Sequence, residues 1–126
     1  MVIAMKNACG FVDESIRGQQ YLMACAVIQA RHFSSMRTYL TSTTHGSSLH
    51  FNHEPNYRRR AVLADVRRLP LIISVRESSV PLFFEFRIRK REPLLWIPDA
   101  VLWAYGAGGD WRDAAMPLVS KVIDVA

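Results

Sequence analysis

The stretch ACGFVDESIRGQQYLMACAVI, residues 8–28, decides the fold. Its first part, residues 8–14, has the composition of a short strand, and Gly18 signals a turn after it. The second apolar run, residues 21–28, is eight residues long, which is typical of a strand buried on both faces. The two segments predict an antiparallel hairpin at the centre of a sheet that helices cover.

Helical and strand patterns continue outward from this hairpin. Pro98 suits the first turn of a late helix that Gly106 would cap, and Asp110 suits the N-cap of a last helix that Pro117 keeps short. Further strands are predicted at residues 49–51, 71–75 and 82–89, and helices at residues 30–40, 57–69, 98–105 and from residue 111 onward. The pattern predicts one mixed α/β domain over residues 1–126.

Composition and charge narrow the class of protein. Half of the 126 residues are hydrophobic and 21% are charged, as in one globular domain. Sixteen Lys and Arg against eleven Asp and Glu give a net charge of +5, which is compatible with an RNA or DNA partner. No apolar run is long enough for a membrane span, and no signal peptide is indicated. Cys9 and Cys25 lack metal-ligand spacing and read as reduced, buried thiols of a cytoplasmic protein, with a bridge across the hairpin as the alternative.

Two acidic motifs are the candidate catalytic residues. Asp13 and Glu14 end the first hairpin strand, and Asp99 is the one charged residue in the apolar stretch 94–104. Carboxylates on rigid elements are the ligands that hard cations such as Mg²⁺ or Mn²⁺ need. The alternatives are an acid at the start of a turn for Asp13 and a favourable charge at a helix N-terminus for Asp99.

A histidine and glutamate cluster lies between these motifs. His50, His53 and Glu54 do not have the spacing of a helical zinc site. Glu54 could supply an oxygen ligand, one histidine could transfer a proton, or the segment could be a polar loop. The glycine-rich stretch 106–111 lacks the lysine of a phosphate-binding loop and is interpreted as a helix end and connector.

Arginine runs carry most of the positive charge. Arg58, Arg59 and Arg60 precede Arg67 on one predicted helix, where residues 60 and 67 are seven apart and share a face. Such a face could follow the phosphates of a nucleic acid or could simply be solvated. The net charge favours nucleic-acid binding by these four arginines.

Taken together, these motifs resemble a known family. They are FVDES at residues 11–15, the strand at residues 21–28, LHF at residues 49–51 with the arginines at residues 58–60, and PDA at residues 98–100. They resemble the prokaryotic domain-of-unknown-function family 3800, especially its actinobacterial members. That resemblance implies an RNase H-like fold and a divalent-metal-dependent nuclease.

The resemblance also assigns roles to individual residues. Asp13 and Asp99 would bind Mg²⁺ or Mn²⁺, and Glu54 would be a weaker third candidate. The chain departs from the family at residues 76–92, where family members are longer and carry more acidic residues. Two-metal hydrolysis usually needs more than two converging carboxylates. The alternative is therefore a catalytically inactive, truncated remnant or a small basic module that binds nucleic acid or another partner.

Overall fold

A computed structural model describes residues 2–43, 51–78 and 92–125 of the chain. Three strands come first, followed by two helices, a fourth strand, two more helices and a last strand, with short 3₁₀ turns at Ala30–His32, Phe51–His53, Pro93–Leu95 and Met116–Leu118. The strands are β1 Val2–Met5, β2 Ala8–Arg17, β3 Gln20–Gln29, β4 Leu71–Ser78 and β5 Val119–Val125. The helices are α1 Phe33–Thr43, α2 Asn56–Val66, α3 Trp96–Ala107 and α4 Gly109–Ala115.

The predicted antiparallel hairpin is confirmed and is longer than the sequence pattern indicated. β2 and β3 pair from Ala8 opposite Gln29 to Arg17 opposite Gln20. Gly18 has a positive φ of 56°, a conformation that glycine adopts without the steric cost other residues bear. Gly18 therefore allows the tight turn between Arg17 and Gln20, which are the last paired residues of the hairpin.

The five strands form one mixed sheet in the order β1-β2-β3-β4-β5, which confirms a mixed α/β fold. The pairs β1–β2, β2–β3 and β3–β4 are antiparallel, and β5 runs parallel to β4. The expectation that β3 is buried on both faces is wrong. Leu22, Ala24, Ala26 and Ile28 are buried, whereas the residues between them are only half-buried, because the described helix α3 packs on the face that carries the first four.

α3 is the central helix of the core. It packs on β2 and β3, and eight of its twelve residues are buried. A helix that is apolar almost all round must be surrounded by other elements; α2 and α4 contact it, while α1 packs on the 3₁₀ turn Pro93–Leu95 that precedes it. The core also contains Phe11 of β2, Met36 and Leu40 of α1, and Phe51 of the turn before α2.

The ends of the late helices differ from the predicted ones. α3 begins at Trp96 and ends at Ala107, and Gly108, with a φ of 71°, is the C-cap. Gly106 therefore lies inside the helix. α4 begins at Gly109, so Asp110 lies in its first turn and is not the N-cap. Pro117 lies in a 3₁₀ turn just after α4, which confirms that this helix is short.

Two strands were not predicted, and two predicted strands lie wholly or partly outside the described residues. β1 and β5 pair at the two edges of the sheet, and neither has a strict apolar alternation that would indicate a strand. Phe51 begins a 3₁₀ turn, and the rest of the predicted strand at residues 49–51 lies outside the described residues. The predicted strand at residues 82–89 also lies outside them. Among the described helices, none has the length and apolar character of a membrane span.

The hairpin register excludes a bridge between the two cysteines. Cys9 lies opposite Ile28, and Cys25 lies opposite Val12. Because side chains alternate across a strand, Cys9 and Cys25 point to opposite faces of the sheet. Both thiols are free.

Candidate functional site

Asp13 lies on the helix-covered face of the sheet. It is opposite Ala24 of β3, which is in turn opposite Val75 of β4. Its exposed fraction is 4%, and among the described residues it is the buried charged one. Its Oδ1 accepts a hydrogen bond of 2.9 Å from the backbone N–H of Glu14. A buried carboxylate needs such donors, because it has lost its contacts with water.

Asp99 lies in the first turn of α3 and faces the end of β2. Together with Leu102 and Trp103 it forms one side of a cleft of about 480 Å³. Residues at i, i+3 and i+4 of a helix share one face, which explains how these three meet. Residues 14–17 of β2 form the other side. We call this the carboxylate cleft.

The structure thus brings Asp99 to the strand end that carries Asp13 and Glu14. Asp13 itself does not line the carboxylate cleft and contacts its wall through the backbone of Glu14. Asp99 supplies the carboxylate of this cleft and Ser15 a hydroxyl, whereas Glu14 lines it at a position whose side chain alternates to the other face of the sheet. The metal role at this strand end was predicted for Asp13; Glu14 was named only beside it in the motif, and Ser15 was given no role.

Glu54 lies elsewhere. It follows the 3₁₀ turn before α2, and its Oε2 is 3.5 Å from Nε of Arg58, one helical turn ahead. It does not line the carboxylate cleft, so the structure does not join it to Asp99. His53 is exposed, and His50 lies outside the described residues.

The carboxylate cleft has the type of oxygen ligand that a hard cation needs, but it has few of them. Carboxylate and hydroxyl oxygens are the donors that Mg²⁺ and Mn²⁺ prefer. Within residues 2–43, 51–78 and 92–125, however, no group of three or more His, Cys, Asp or Glu side chains could hold a metal ion. The cleft therefore offers part of a coordination shell, with the rest left to water or substrate phosphate.

Arginine and tryptophan side chains border the carboxylate cleft. The ring of Trp103 lies edge-on to that of Trp111, with 5.2 Å between their centroids. The guanidinium carbon of Arg59 is 3.8 Å from the Trp103 centroid, and that of Arg17 is 5.6 Å from it. The guanidinium carbon of Arg60 is 5.2 Å from the Trp111 centroid. We call these five residues the arginine–tryptophan cluster.

Arg59 is held in place by its neighbours. Its Nε donates to the backbone carbonyl of Phe51 at 2.8 Å, and its Nη1 donates to Oδ1 of Asn56 at 3.0 Å. Phe51 also contacts Trp103, with 5.4 Å between ring centroids. The guanidinium plane of Arg59 therefore has a fixed orientation over Trp103, which a lysine could not reproduce.

A second cleft, of about 710 Å³, lies between the end of α2 and α4. Three arginines, Arg60, Arg67 and Arg68, and one acid, Asp113, line it. Its remaining lining is apolar and consists of Leu63, Ala64, Ala114 and Pro117. We call it the arginine cleft. The predicted common face of Arg60 and Arg67 is confirmed, because both line this cleft.

Comparison with models of protein families, with characterised proteins and with solved structures finds no match to this chain.

Proposed function

We propose that this chain is an RNase H-like domain that binds nucleic acid and hydrolyses it with the help of a divalent cation. The observation that carries the proposal is the convergence of Asp99 with the end of β2 on one cleft. Asp99 and Glu14 are 85 positions apart in the sequence, so only the fold brings them together. The free thiols Cys9 and Cys25 agree with a cytoplasmic protein.

Each part of the carboxylate cleft has a chemical role in this proposal. Asp99 and the Ser15 hydroxyl would hold Mg²⁺ or Mn²⁺, which neutralises phosphate charge and lowers the pKa of bound water. Asp13 is a positioning residue, because its carboxylate fixes the backbone N–H of Glu14. Arg17, on the same cleft, carries the positive charge that a scissile phosphate requires.

Binding without hydrolysis is the second candidate function. It is favoured by the small number of carboxylates in the cleft and by the position of Glu54, which faces Arg58. The arginine–tryptophan cluster and the arginine cleft do not depend on a metal ion. A remnant that has lost catalysis would still keep both surfaces.

The deciding experiment uses labelled RNA and DNA with purified protein in Mg²⁺, in Mn²⁺ and in chelator. We expect cleavage only with metal, and a loss of at least a hundredfold in Asp99→Asn. Asp110→Asn is the matched control, because this acid is exposed in the first turn of α4 and away from the cleft. Its cleavage rate should equal that of the wild type.

Binding of Mn²⁺ gives a readout that does not depend on cleavage. Titration calorimetry should show at least tenfold weaker Mn²⁺ binding in Asp99→Asn than in the wild type and in Asp110→Asn. Equal cleavage by the wild type and Asp99→Asn would indicate a contaminating nuclease and would reject hydrolysis. Nucleic-acid binding without cleavage would establish the second candidate. A protein that neither binds nor cleaves nucleic acid would reject both candidates.

A further inference from the structure

The carboxylate cleft and the arginine cleft are joined by an unbroken series of side-chain contacts. Trp103 lines the carboxylate cleft and contacts Trp111 at 5.2 Å. Arg60 lies over Trp111 at 5.2 Å and lines the arginine cleft. The arginine–tryptophan cluster therefore extends from one cleft to the other.

We propose that these three features form one track for a single strand of nucleic acid, with backbone phosphates in the arginine cleft and unpaired bases on the arginine–tryptophan cluster. The ligand class rests on the proposed function. The strandedness, the role of both tryptophans and the role of Arg68 go beyond it.

The arginine cleft has the chemistry of a phosphate site. Arg60, Arg67 and Arg68 are all exposed, and within the described residues no carboxylate forms an ion pair with any of them. Three guanidinium groups against Asp113 give the cleft a net positive charge. Arg60 and Arg67 are seven residues apart, about 10 Å along a helix, so they can contact different phosphates of one strand.

The arginine–tryptophan cluster favours a single strand over a duplex. Trp103 and Trp111 are half-buried, so each ring is fixed by packing and retains some accessible surface. Guanidinium planes and aromatic rings bind bases by stacking, which is open only to bases that are not stacked within a duplex. The alternation of arginine and tryptophan is the pattern of proteins that follow single strands with little sequence preference.

The test measures binding of a labelled 12-nucleotide strand and of its duplex by fluorescence anisotropy in chelator. Under these conditions no metal-dependent cleavage occurs, so the result is independent of the proposed hydrolysis. We expect the wild type to bind the single strand at least tenfold more tightly than the duplex. The double variant Arg67→Gln, Arg68→Gln should bind the single strand at least tenfold more weakly. The slope of log K against log salt should also become shallower by about 1.4, because each of the two lost phosphate contacts accounts for about 0.7.

The aromatic part of the track needs variants of its own. Trp111→Leu should weaken single-strand binding at least fivefold, and Trp111→Phe should restore most of it, because stacking needs a ring. Arg31→Gln is the matched charge control, since Arg31 is exposed at the opposite end of β3 and should leave the affinity unchanged. Circular dichroism melts of each variant separate lost binding from lost folding.

Several outcomes would overturn the track. Equal affinity for strand and duplex would reject strandedness, and full affinity in folded Arg67→Gln, Arg68→Gln would reject the arginine cleft. Competition by a mononucleotide as strong as by the 12-nucleotide strand would reduce the track to a single nucleotide site. Absence of cleavage in Mg²⁺ would reject hydrolysis alone and leave the track intact.

Discussion

Arg17 of β2 crosses α3 at Gly106, where there is no room for a side chain. A Cβ at residue 106 would lie 2.7 Å from Nε of Arg17 and 2.9 Å from its Cδ. Nη2 of the same arginine donates to the backbone carbonyl of Trp103 at 3.3 Å. Gly106 therefore lets Arg17 lie on the helix beside Trp103, where it forms the wall of the carboxylate cleft.

This contact predicts that Gly106→Ala acts through Arg17. Alanine favours a helix interior by about 1 kcal/mol over glycine, but its methyl group would displace Arg17. We expect the free energy of unfolding of Gly106→Ala to be equal to or lower than that of the wild type. In an Arg17→Ala background the same substitution should be more favourable by about 1 kcal/mol, as measured by urea unfolding of the four proteins in a double-mutant cycle.

The cycle has a built-in control in Leu22, whose Cδ1 would lie 3.1 Å from the new methyl group in both backgrounds. Any cost from Leu22 cancels in the coupling energy. A coupling energy of zero would contradict the contact between Arg17 and residue 106.

Much of the fold could be predicted from local pattern, because the hairpin and α3 have strong local signals. Residues 21–28 are apolar and follow a turn glycine, and the stretch around Asp99 is apolar over several turns. The prediction that Gly106 caps α3 was wrong for a physical reason. A glycine near a helix end has the same appearance whether it serves as a cap or as the place where another side chain crosses, and only the packing of Arg17 distinguishes the two.

The candidate site was predictable only in part. The meeting of Asp99 with the end of β2 follows from the apolar stretch that buries α3 against the sheet. Glu54 could not be placed, because its position depends on the turn before α2 and on its ion pair with Arg58. Trp103 and Trp111 were given no role from the sequence, because their contacts with arginines depend on how α2 packs beside α3 and α4.

Phe51 is predicted to be essential for the stability of the cluster. Its side chain is fully buried and contacts Trp103, and its carbonyl accepts a hydrogen bond from Arg59. Phe51→Ala should lower the free energy of unfolding by about 3–5 kcal/mol, because it leaves a large cavity. Tyr57→Ala, at a side chain that is 75% exposed, should cost less than about 0.5 kcal/mol. Equal urea midpoints for the two variants would refute this assignment.

The ion pair between Arg37 and Glu92 is predicted to fasten α1 to the turn that leads into α3. Nε of Arg37 donates to Oε2 of Glu92 at 3.0 Å, Nη2 donates to Oε1, and the Glu92 side chain also accepts from the N–H of Leu94. This hydrogen bonding raises the pKa of Arg37 further above its usual value, so the arginine stays charged.

Both partners are partly exposed, so their coupling energy should be modest. We expect about 0.5–1 kcal/mol from a double-mutant cycle of Arg37→Gln and Glu92→Gln, falling as salt is raised to 1 M. Glu92→Gln alone should cost more than Arg37→Gln alone, because it also weakens the bond to Leu94. A coupling energy unaffected by salt would argue against a charge interaction.

The Cys25 thiol is predicted to be alkylated slowly, with a pH profile shifted to higher pH. Its Sγ lies close to Gly10, where a Cβ would be 3.1 Å away, and burial raises its pKa above the ordinary 9.0. The thiolate is the reactive form, so in Cys9→Ser the folded protein should react with iodoacetamide more slowly at pH 8 than the same protein in guanidinium. Its rate should still be rising at pH values where the denatured thiol has reached a plateau.

The same shift has a consequence for stability. A raised pKa means that the folded protein binds the thiol proton more tightly, so this stabilisation is complete below pH 9.0 and is lost as the pH rises through the folded pKa. Cys25→Ser should remove that thiol-dependent part of the decline in alkaline unfolding experiments, while Cys9→Ser, on the opposite face of the sheet, should retain it. Coincident alkylation profiles for folded and denatured protein would show that the Cys25 thiol is not buried in the folded state.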